Sequence, residues 1–253
     1  YYKDQIIDQR KRVNDFLELG RTLGYWAHGF DFPRRCNQVF QDFNLHGKNI
    51  LEIGCGKGVF CVWASLHGAS HVVGLEPLED GSFDSSRIYF EYKQMVETLH
   101  LGNIEMIPRR VQDYKNYNLY FDVVLSHASI NHLAEESCIS LKKNNLAKET
   151  YKEIFSDIAN KMTNGAKLII LDCSNRNLFS DIGLTNPVAR SIEWFKHHPP
   201  ELWSSILTEC GFVSPKISWP SGRYLRYMRI YNRSKVLSYF MDSAFRLEMT
   251  YMK

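Results

Sequence analysis

The feature that most constrains the fold is a run of three alternating glycines behind a short apolar segment. In "NILEIGCGKGVF", residues 49–60, the glycines are Gly54, Gly56 and Gly58. Glycine lets a backbone take left-handed conformations and lets another group approach it closely. A strand, a glycine-rich turn and a helix together form a nucleotide-binding element, because the first amides of the helix favour negative charge. A tight turn without a ligand is the alternative that the glycines alone leave open.

Short apolar segments alternate with helical segments on both sides of this turn. We predict strands over residues 50–53, 71–76, 104–107, 121–126, 167–173, 213–219 and 244–252. We predict helices over residues 3–22, 34–44, 59–68, 84–100, 146–162 and 203–212. This alternation indicates an α/β fold with a parallel sheet covered on both faces. The last two strands differ, since no helix of equal weight is predicted between them.

The composition limits the class of protein. A chain of 253 residues with 44% apolar residues can close a sizeable core, so we expect one large domain or one domain with appendages. The net charge of +3 argues against a protein that coats nucleic acid. No apolar run reaches the roughly 18 residues of a membrane span, and no basic-then-apolar leader is found. Six scattered cysteines without a C-x-x-C pair favour buried, reduced thiols, and hence a cytoplasmic protein.

Two acids narrow the ligand. Glu76 ends the second predicted strand, where a carboxylate can accept both hydroxyls of a ribose, although a surface acid is the alternative. The dinucleotide fingerprint G-x-G-x-x-G would require glycine where Val59 stands. Glu52 lies inside the first strand, and a carboxylate there suits a ligand with an ammonium and a sulfonium better than a pyrophosphate.

Four segments, "LEIGCGKG", "VVGLE", "FDVVLS" and "KLIILDC", together resemble the class I S-adenosylmethionine-dependent methyltransferases over about residues 45–215. The resemblance implies a Rossmann-like, seven-stranded, mostly parallel sheet with a C-terminal antiparallel strand and helices on both faces. It implies S-adenosyl-L-methionine as the cofactor. Gly54 and Gly56 would pass its methionine end, Glu76 would hold the ribose, and Ser126 would line the sulfonium.

The adenine contact departs from the family pattern. The family usually has an acid or a small polar residue after the third strand, whereas this chain has "PRRVQDY" with Arg110 near that place. We therefore expect adenine contacts from the backbone of Val111 and from Gln112 or Asp113. We divide the chain into an N-terminal helical cap, residues 1–44, and a methyltransferase domain, residues 45–253.

Polar residues follow the fourth and fifth predicted strands, where substrates meet the cofactor in this fold. The candidate catalytic residues are His132, His127 and Asp172, with His132 the first choice for a base. The candidate substrate residues are Asn131, Glu193, His197 and Arg226. A histidine after a strand often has a structural role, and "HHPP" is also typical of a helix start. We expect no metal, because no carboxylate stands near the paired histidines at helical spacing.

The acceptor class is predicted from three polar stretches, "SHASINHLAEE", "DCSNRN" and "SIEWFKHHPPELW". Together they resemble methyltransferases of bacterial cell-surface polysaccharide and glycan biosynthesis, which would imply a sugar hydroxyl. An RNA or protein methyltransferase is the alternative, although no N/D-P-P-Y/F motif for attack by a nucleic-acid amine is found. A non-catalytic cofactor-binding module and a dehydrogenase also remain open.

A basic, tyrosine-rich segment, "GRYLRYMRIYNRSK", lies near the C-terminus. Its arginines, Arg226 among them, recur at spacings of three and four, so we predict one basic helical face within a cover over residues 220–238. Such a face could hold an anionic acceptor group such as a phosphate. A solvated amphipathic helix is the alternative, and RNA binding is less favoured because the rest of the chain is nearly neutral.

Overall fold

The structure is a computed structural model that describes residues 2–26, 30–41, 43–77, 85–115, 118–187, 189–221 and 234–253, without the side chains of residues 2–7 and 85. The chain forms two compact units, Tyr1–Asp113 and Tyr114–Lys253. The predicted boundary between residues 44 and 45 stays a prediction.

The first unit carries the N-terminal helices and three strands. Its elements are α1 (Tyr2–Thr22), α2 (Phe32–Phe40), β1 (Asn49–Ile53), α3 (Val59–Leu66), β2 (His71–Leu75), α4 (Ser85–Thr98) and β3 (Ile104–Ile107). β2 pairs in parallel with both β1 and β3, and Leu75 lies opposite Ile53 on one side and Ile107 on the other. The three strands therefore end at the same edge.

The second unit carries four strands. Its elements are β4 (Phe121–His127), α5 (Glu135–Ser140), α6 (Asn145–Ala159), β5 (Met162–Cys173), α7 (Leu178–Asp181), α8 (Pro200–Thr208), β6 (Phe212–Ser218), α9 (Lys235–Phe240) and β7 (Ala244–Tyr251). Short 3₁₀ turns stand at Ile130–His132 and Trp194–Lys196. β4 and β5 are parallel, whereas β7 runs antiparallel to β5 and to β6.

The sheet has seven strands in the order β3-β2-β1-β4-β5-β7-β6. The predicted fold class, a mostly parallel Rossmann-like sheet with an antiparallel C-terminal strand, is confirmed. β5 begins five residues earlier than predicted, and its pairing with β4 shifts register between Phe121 and Val123. The short helices α5, α7 and α9 were not predicted, because four to six residues carry too little helical periodicity to recognise.

Aromatic side chains hold the N-terminal helices in the first unit. Phe16 of α1 is fully buried, and its ring centroid lies 5.5 Å from both Trp26 and Phe32. Asp31 begins α2, because its side chain accepts a hydrogen bond from the Arg34 amide at 3.0 Å. The predicted helices at this end are confirmed, and α2 begins two residues earlier than expected.

Trp203 is the largest fully buried side chain of the second unit. Its ring packs against Tyr151 at 5.1 Å and against His198 at 5.7 Å between centroids. β7 lies between β5 and β6, so Arg246 is buried like its apolar neighbours and pairs with Glu248 at 2.7 Å. The helices of the described ranges include none that is long and apolar enough to cross a membrane.

Candidate functional site

The three glycines of the turn after β1 have the predicted left-handed backbone but serve different purposes. Their φ angles are 65° at Gly54, 52° at Gly56 and 67° at Gly58. A Cβ added at Gly58 would lie 2.8 Å from the Tyr92 ring, so close packing requires that glycine. A Cβ added at Gly56 would meet no heavy atom within 4 Å. Gly58 therefore serves the core, while Gly56 faces open space.

Two hydrogen bonds hold this turn against the end of β2, and one of them is accepted by the Glu76 carboxylate. The Gly56 amide donates a hydrogen bond to Glu76 Oε2 at 2.6 Å, and the Cys55 amide donates to the Leu75 carbonyl at 3.0 Å. Glu76 is half-buried and directly follows the last residue of β2. The acid that the sequence predicts for the ribose thus stands beside the glycine that faces open space. We call residues 54–58 with Glu76 the glycine loop.

Glu52 lies behind the glycine loop, in the core. Its exposed fraction is 2%, and its Oε2 accepts a hydrogen bond from the Cys61 thiol at 2.9 Å. Burial raises the pKa of the Glu52 carboxyl to about 8. The carboxyl is therefore mostly neutral at pH 7. Its predicted contact with the ammonium of a ligand stays a prediction.

The predicted adenine residues form a turn after β3. The Asp113 amide donates to the Arg110 carbonyl at 3.1 Å, which closes the turn. Val111 is anchored with 2% exposure, whereas Gln112 and Asp113 are exposed. An apolar anchor thus holds the turn that carries these residues, and their contacts with adenine stay a prediction.

In the second unit, β4 ends in a pair of buried hydroxyls. Ser126 and Ser129 are 3% and 9% exposed, and their Oγ atoms lie 2.8 Å apart. His127, the last residue of β4, is half-buried. Asn131 is 3% exposed, and its Oδ1 accepts no hydrogen bond within the part of the chain that the structure describes. A buried carbonyl oxygen without a partner is costly, so Asn131 is suited to receive a donor from a ligand.

His132 belongs to an exposed chain of charges. Its Nδ1 lies 2.5 Å from Glu135 Oε1, and its side chain is 53% exposed. Lys196 Nζ donates to Glu135 Oε2 at 2.9 Å and to Glu193 Oε2 at 3.0 Å. Hydrogen bonds from Lys196 and His132 lower the pKa of the Glu135 carboxyl. The structure thus joins two predicted site residues, His132 and Glu193, through partners that the sequence did not single out.

A second histidine is paired at a buried place. His197 Nδ1 lies 3.0 Å from Asp172 Oδ1, at the carboxyl end of β5. The two side chains are 12% and 2% exposed. Asp172 Oδ1 accepts a hydrogen bond from the Cys173 amide at 2.7 Å, while Asp172 Oδ2 and His197 Nδ1 make no hydrogen bond among the described residues. We call Asp172 and His197 the β5 pair.

The adjacent histidine has a structural role. His198 is 2% exposed, and its Nε2 lies 2.6 Å from the Cys138 carbonyl. Burial lowers the pKa of His198. Pro200 stands in the first turn of α8, so the interpretation of "HHPP" as a helix start is confirmed. His197, however, faces the end of β5 and keeps a functional interpretation.

Two further predictions concern the basic cover and metal binding. Arg226 and most of the predicted cover lie in residues 222–233, outside the described ranges. Over the ranges that are described, no three His, Cys, Asp or Glu residues come together as metal ligands. All six cysteines are free thiols, and only Cys173 and Cys210 are not fully buried.

Comparisons of the sequence with known proteins give a family match. A family profile described as "Methyltransferase domain" matches residues 25–228. Ribosomal protein L11 methyltransferase of Photorhabdus laumondii is 30% identical over 89 residues, which are 35% of this chain and 29% of that protein. Ubiquinone biosynthesis O-methyltransferase of Neisseria meningitidis is 27% identical over 127 residues, 50% of each chain. This chain thus spans half or less of the length of these two relatives.

Solved structures give the same fold. A SAM-dependent methyltransferase from Aquifex aeolicus superposes with a TM-score of 0.56 and 13% identity, covering 85% of this chain and 88% of that one. Magnesium protoporphyrin IX methyltransferase of Synechocystis, solved with bound SAM, gives a TM-score of 0.52 and 18% identity, covering 87% and 77%. At these identities the likeness is one of fold. The comparisons do not bear on the narrower resemblance to polysaccharide enzymes.

Proposed function

The chain belongs to the methyltransferase-domain family and is an S-adenosylmethionine-dependent methyltransferase, and from this premise we propose that it methylates a hydroxyl of a small acceptor. The observation that carries the proposal is the β5 pair. A histidine beside a buried carboxylate is an arrangement that removes a proton, and a hydroxyl is an acceptor that must lose one.

The glycine loop fits the cofactor. Gly56 faces open space, so a ligand can approach its backbone, and the Glu76 carboxylate stands beside it to accept hydroxyl hydrogen bonds. Gly54 would lie along the methionine end, and Val111 with Gln112 would hold the adenine. Ser126 is proposed to line the sulfonium. When bound, S-adenosylmethionine supplies a methyl group on a good leaving group.

The β5 pair can hold a proton at a defined atom. In this proposal Asp172 Oδ1, 3.0 Å from Nδ1, favours the hydrogen of the His197 ring on Nδ1 and so leaves Nε2 as the proton acceptor. The Asp172 contact is made at Nδ1, so Nε2 is left to an acceptor hydroxyl. The nearby carboxylate also stabilises the ring once it is protonated. A base of this kind contributes ~10²–10⁴-fold to a rate.

His132, the first choice from the sequence, is the rival base. Its side chain is 53% exposed, and its carboxylate partner Glu135 is shared with Lys196. An exposed pair is screened by water, so it orients a ring less firmly than a buried one. We therefore place His197 first and His132 second, with His127 in reserve. Asn131, Glu193 and Arg226 remain proposed substrate contacts.

The likeness to L11 methyltransferases favours a second candidate, methylation of a protein. That likeness covers 35% of this chain and 29% of the relative, so most of the relative's length is not matched. The O-methyltransferase of ubiquinone biosynthesis matches half of this chain, which supports a hydroxyl acceptor. A neutral small acceptor and a protein are readily separated by experiment.

The test measures S-adenosylhomocysteine release with a panel of sugars, phenols and other hydroxylated small molecules, and with ribosomal protein in parallel. We expect turnover with a small hydroxylated acceptor, and a loss of at least a hundredfold in His197→Ala with unchanged cofactor affinity. A similar loss in His132→Ala alone would move the base to His132. Turnover only with the protein would overturn the proposal and favour the second candidate.

A further inference from the structure

A cavity of about 200 Å³ lies in the second unit, next to the end of β5. Its walls include two aromatic rings, two cations and two carboxylates, contributed by Trp219, Tyr239, Arg176, Lys235, Asp181 and Glu201. We propose that this cavity is the acceptor subsite and binds one uncharged, polyhydroxylated ring, such as a pyranose. The inference rests on the proposed function, because it names the acceptor class of the same reaction.

The cavity adjoins the β5 pair through both chain segments that contribute the residues of the pair. Ser174 and Pro199 line the cavity, and each stands two residues after a member of the pair, Asp172 or His197. Both His197 and Pro199 have extended backbone. Two extended residues span about 7 Å. A ring in the cavity could therefore present a hydroxyl toward His197.

The charges of the cavity favour a neutral ligand. Among the described residues that line the cavity, Arg176 and Lys235 offset Asp181 and Glu201, so these four formal charges cancel. Arg176 and Glu201 form no ion pair with another described residue, and they retain their hydrogen-bonding capacity. A phosphate would be repelled by the two carboxylates as much as it is attracted by the cations.

Carboxylates and cations in one cavity match the hydroxyls of a sugar. Each hydroxyl both donates and accepts, whereas carboxylates only accept and guanidinium or ammonium groups only donate. Asp181 Oδ2 accepts a hydrogen bond from the Tyr239 hydroxyl at 2.9 Å, which holds the carboxylate in place. Neighbouring hydroxyls on one ring can thus be met by an acceptor and a donor together.

The aromatic wall selects a ring. Trp219 is set edge-on against Phe245, with ring centroids 6.4 Å apart, and this contact fixes its plane. One face of a pyranose carries C–H bonds, which pack on a flat indole. Lys235 Nζ lies over the Trp219 ring, 5.3 Å from its centroid, so a sugar that packs on this face displaces the ammonium, which can then donate to a ring hydroxyl. The volume is below the roughly 300–1,000 Å³ typical of drug-sized ligands, which suits a single ring.

The experiment is saturation-transfer NMR with four methyl glycosides (gluco, galacto, manno and rhamno), with inorganic phosphate added as a competitor, and it is repeated in variants. We expect transfer to at least one glycoside, no loss of that signal when phosphate is added, and loss of the signal in Trp219→Ala. Because Trp219 is half-buried, Arg176→Gln and Glu201→Gln serve as exposed variants that should keep the fold. Each removes a hydrogen bond to a charged group, so affinity should fall about tenfold.

The control is Tyr120→Ala, an exposed aromatic residue outside the cavity lining, which should bind the glycoside as wild type does. Binding of no glycoside, equal binding by all variants, or competition by phosphate would overturn the inference. Failure of the proposed function gives a different result: glycosides would bind in the cavity and would not be methylated. Cofactor affinity, measured by calorimetry, should be unchanged in every cavity variant.

Discussion

The glycine loop and the β5 pair encode their proposed roles in different ways. In the loop, the backbone carries the information: a left-handed Gly56 faces open space, and one neighbouring carboxylate fastens it. In the pair, two side chains from distant parts of the chain meet at 3.0 Å, with Asp172 almost fully buried. A site formed by backbone atoms comes from consecutive residues, whereas a site formed by side chains depends on the whole fold.

The largest expected effect breaks the loop. Gly56→Val would add a branched side chain where the space in front of the backbone is open, at a φ of 52° that valine rarely adopts. We expect S-adenosylmethionine binding to fall below detection by calorimetry.

The matched control is Gly47→Val. Gly47 also has a positive φ, 72°, and open space beyond its Cβ, but it lies outside the loop. It should carry a similar backbone strain and keep cofactor affinity. Equal losses in both variants would assign the effect to strain and contradict the role of Gly56.

The β5 pair can be broken without changing its shape. Asp172→Asn replaces the carboxylate by an amide, so His197 Nδ1 loses the carboxylate that we propose to fix the tautomer of the ring. We expect turnover to fall by ~10²–10⁴-fold while cofactor affinity stays the same. Asp157→Asn, which changes an exposed carboxylate of α6 that pairs with Lys161, should leave turnover unchanged. Full activity in Asp172→Asn would return the base to His132 or His127.

The ribose contact gives a smaller effect. Glu76→Ala should remove charge-assisted hydrogen bonds of ~1.5–3 kcal/mol, a loss of roughly 10- to 150-fold in cofactor affinity. The variant also loses the hydrogen bond from the Gly56 amide. Glu76→Gln separates the two losses, because an amide oxygen can still accept from the backbone. If both variants bind S-adenosylmethionine as wild type does, the ribose assignment is wrong.

Glu52 gives the smallest effect and tests how far the loop extends into the core. Folding raises the pKa of the Glu52 carboxyl to about 8, so the folded state favours the protonated carboxyl. The resulting stability is full below the ordinary pKa of 4.5 and is lost as pH rises through about 8. Over that window wild type should lose stability relative to Glu52→Gln, by at most about 1.4 kcal/mol per pH unit. Urea unfolding at several pH values measures this difference, and parallel slopes would contradict a buried neutral carboxyl.

The same variant tests the predicted ammonium contact. A cation near Glu52 favours the ionised carboxyl, so cofactor affinity should rise with pH up to about 8 in wild type and not in Glu52→Gln. A flat profile in both proteins would remove Glu52 from the cofactor residues.

The sequence predicted the strands, the loop and the acid after β2, because each depends on neighbours only a few residues away. It named Asp172 and His197 separately but could not pair them, since they are 25 residues apart and meet only in the folded chain. Likewise, nothing local distinguishes His197 from the buried His198. The cavity residues were missed for the same reason, because its walls come from four separate segments.

The measurement that tests the account most directly is the affinity for S-adenosylmethionine in four proteins: wild type, Glu76→Ala, His197→Ala and the double variant. If the loop binds the cofactor and the β5 pair serves the acceptor, His197→Ala should bind as wild type does. The double variant should then match Glu76→Ala, as expected of independent sites. No binding by wild type, or a loss in His197→Ala as large as that in Glu76→Ala, would contradict the division of roles.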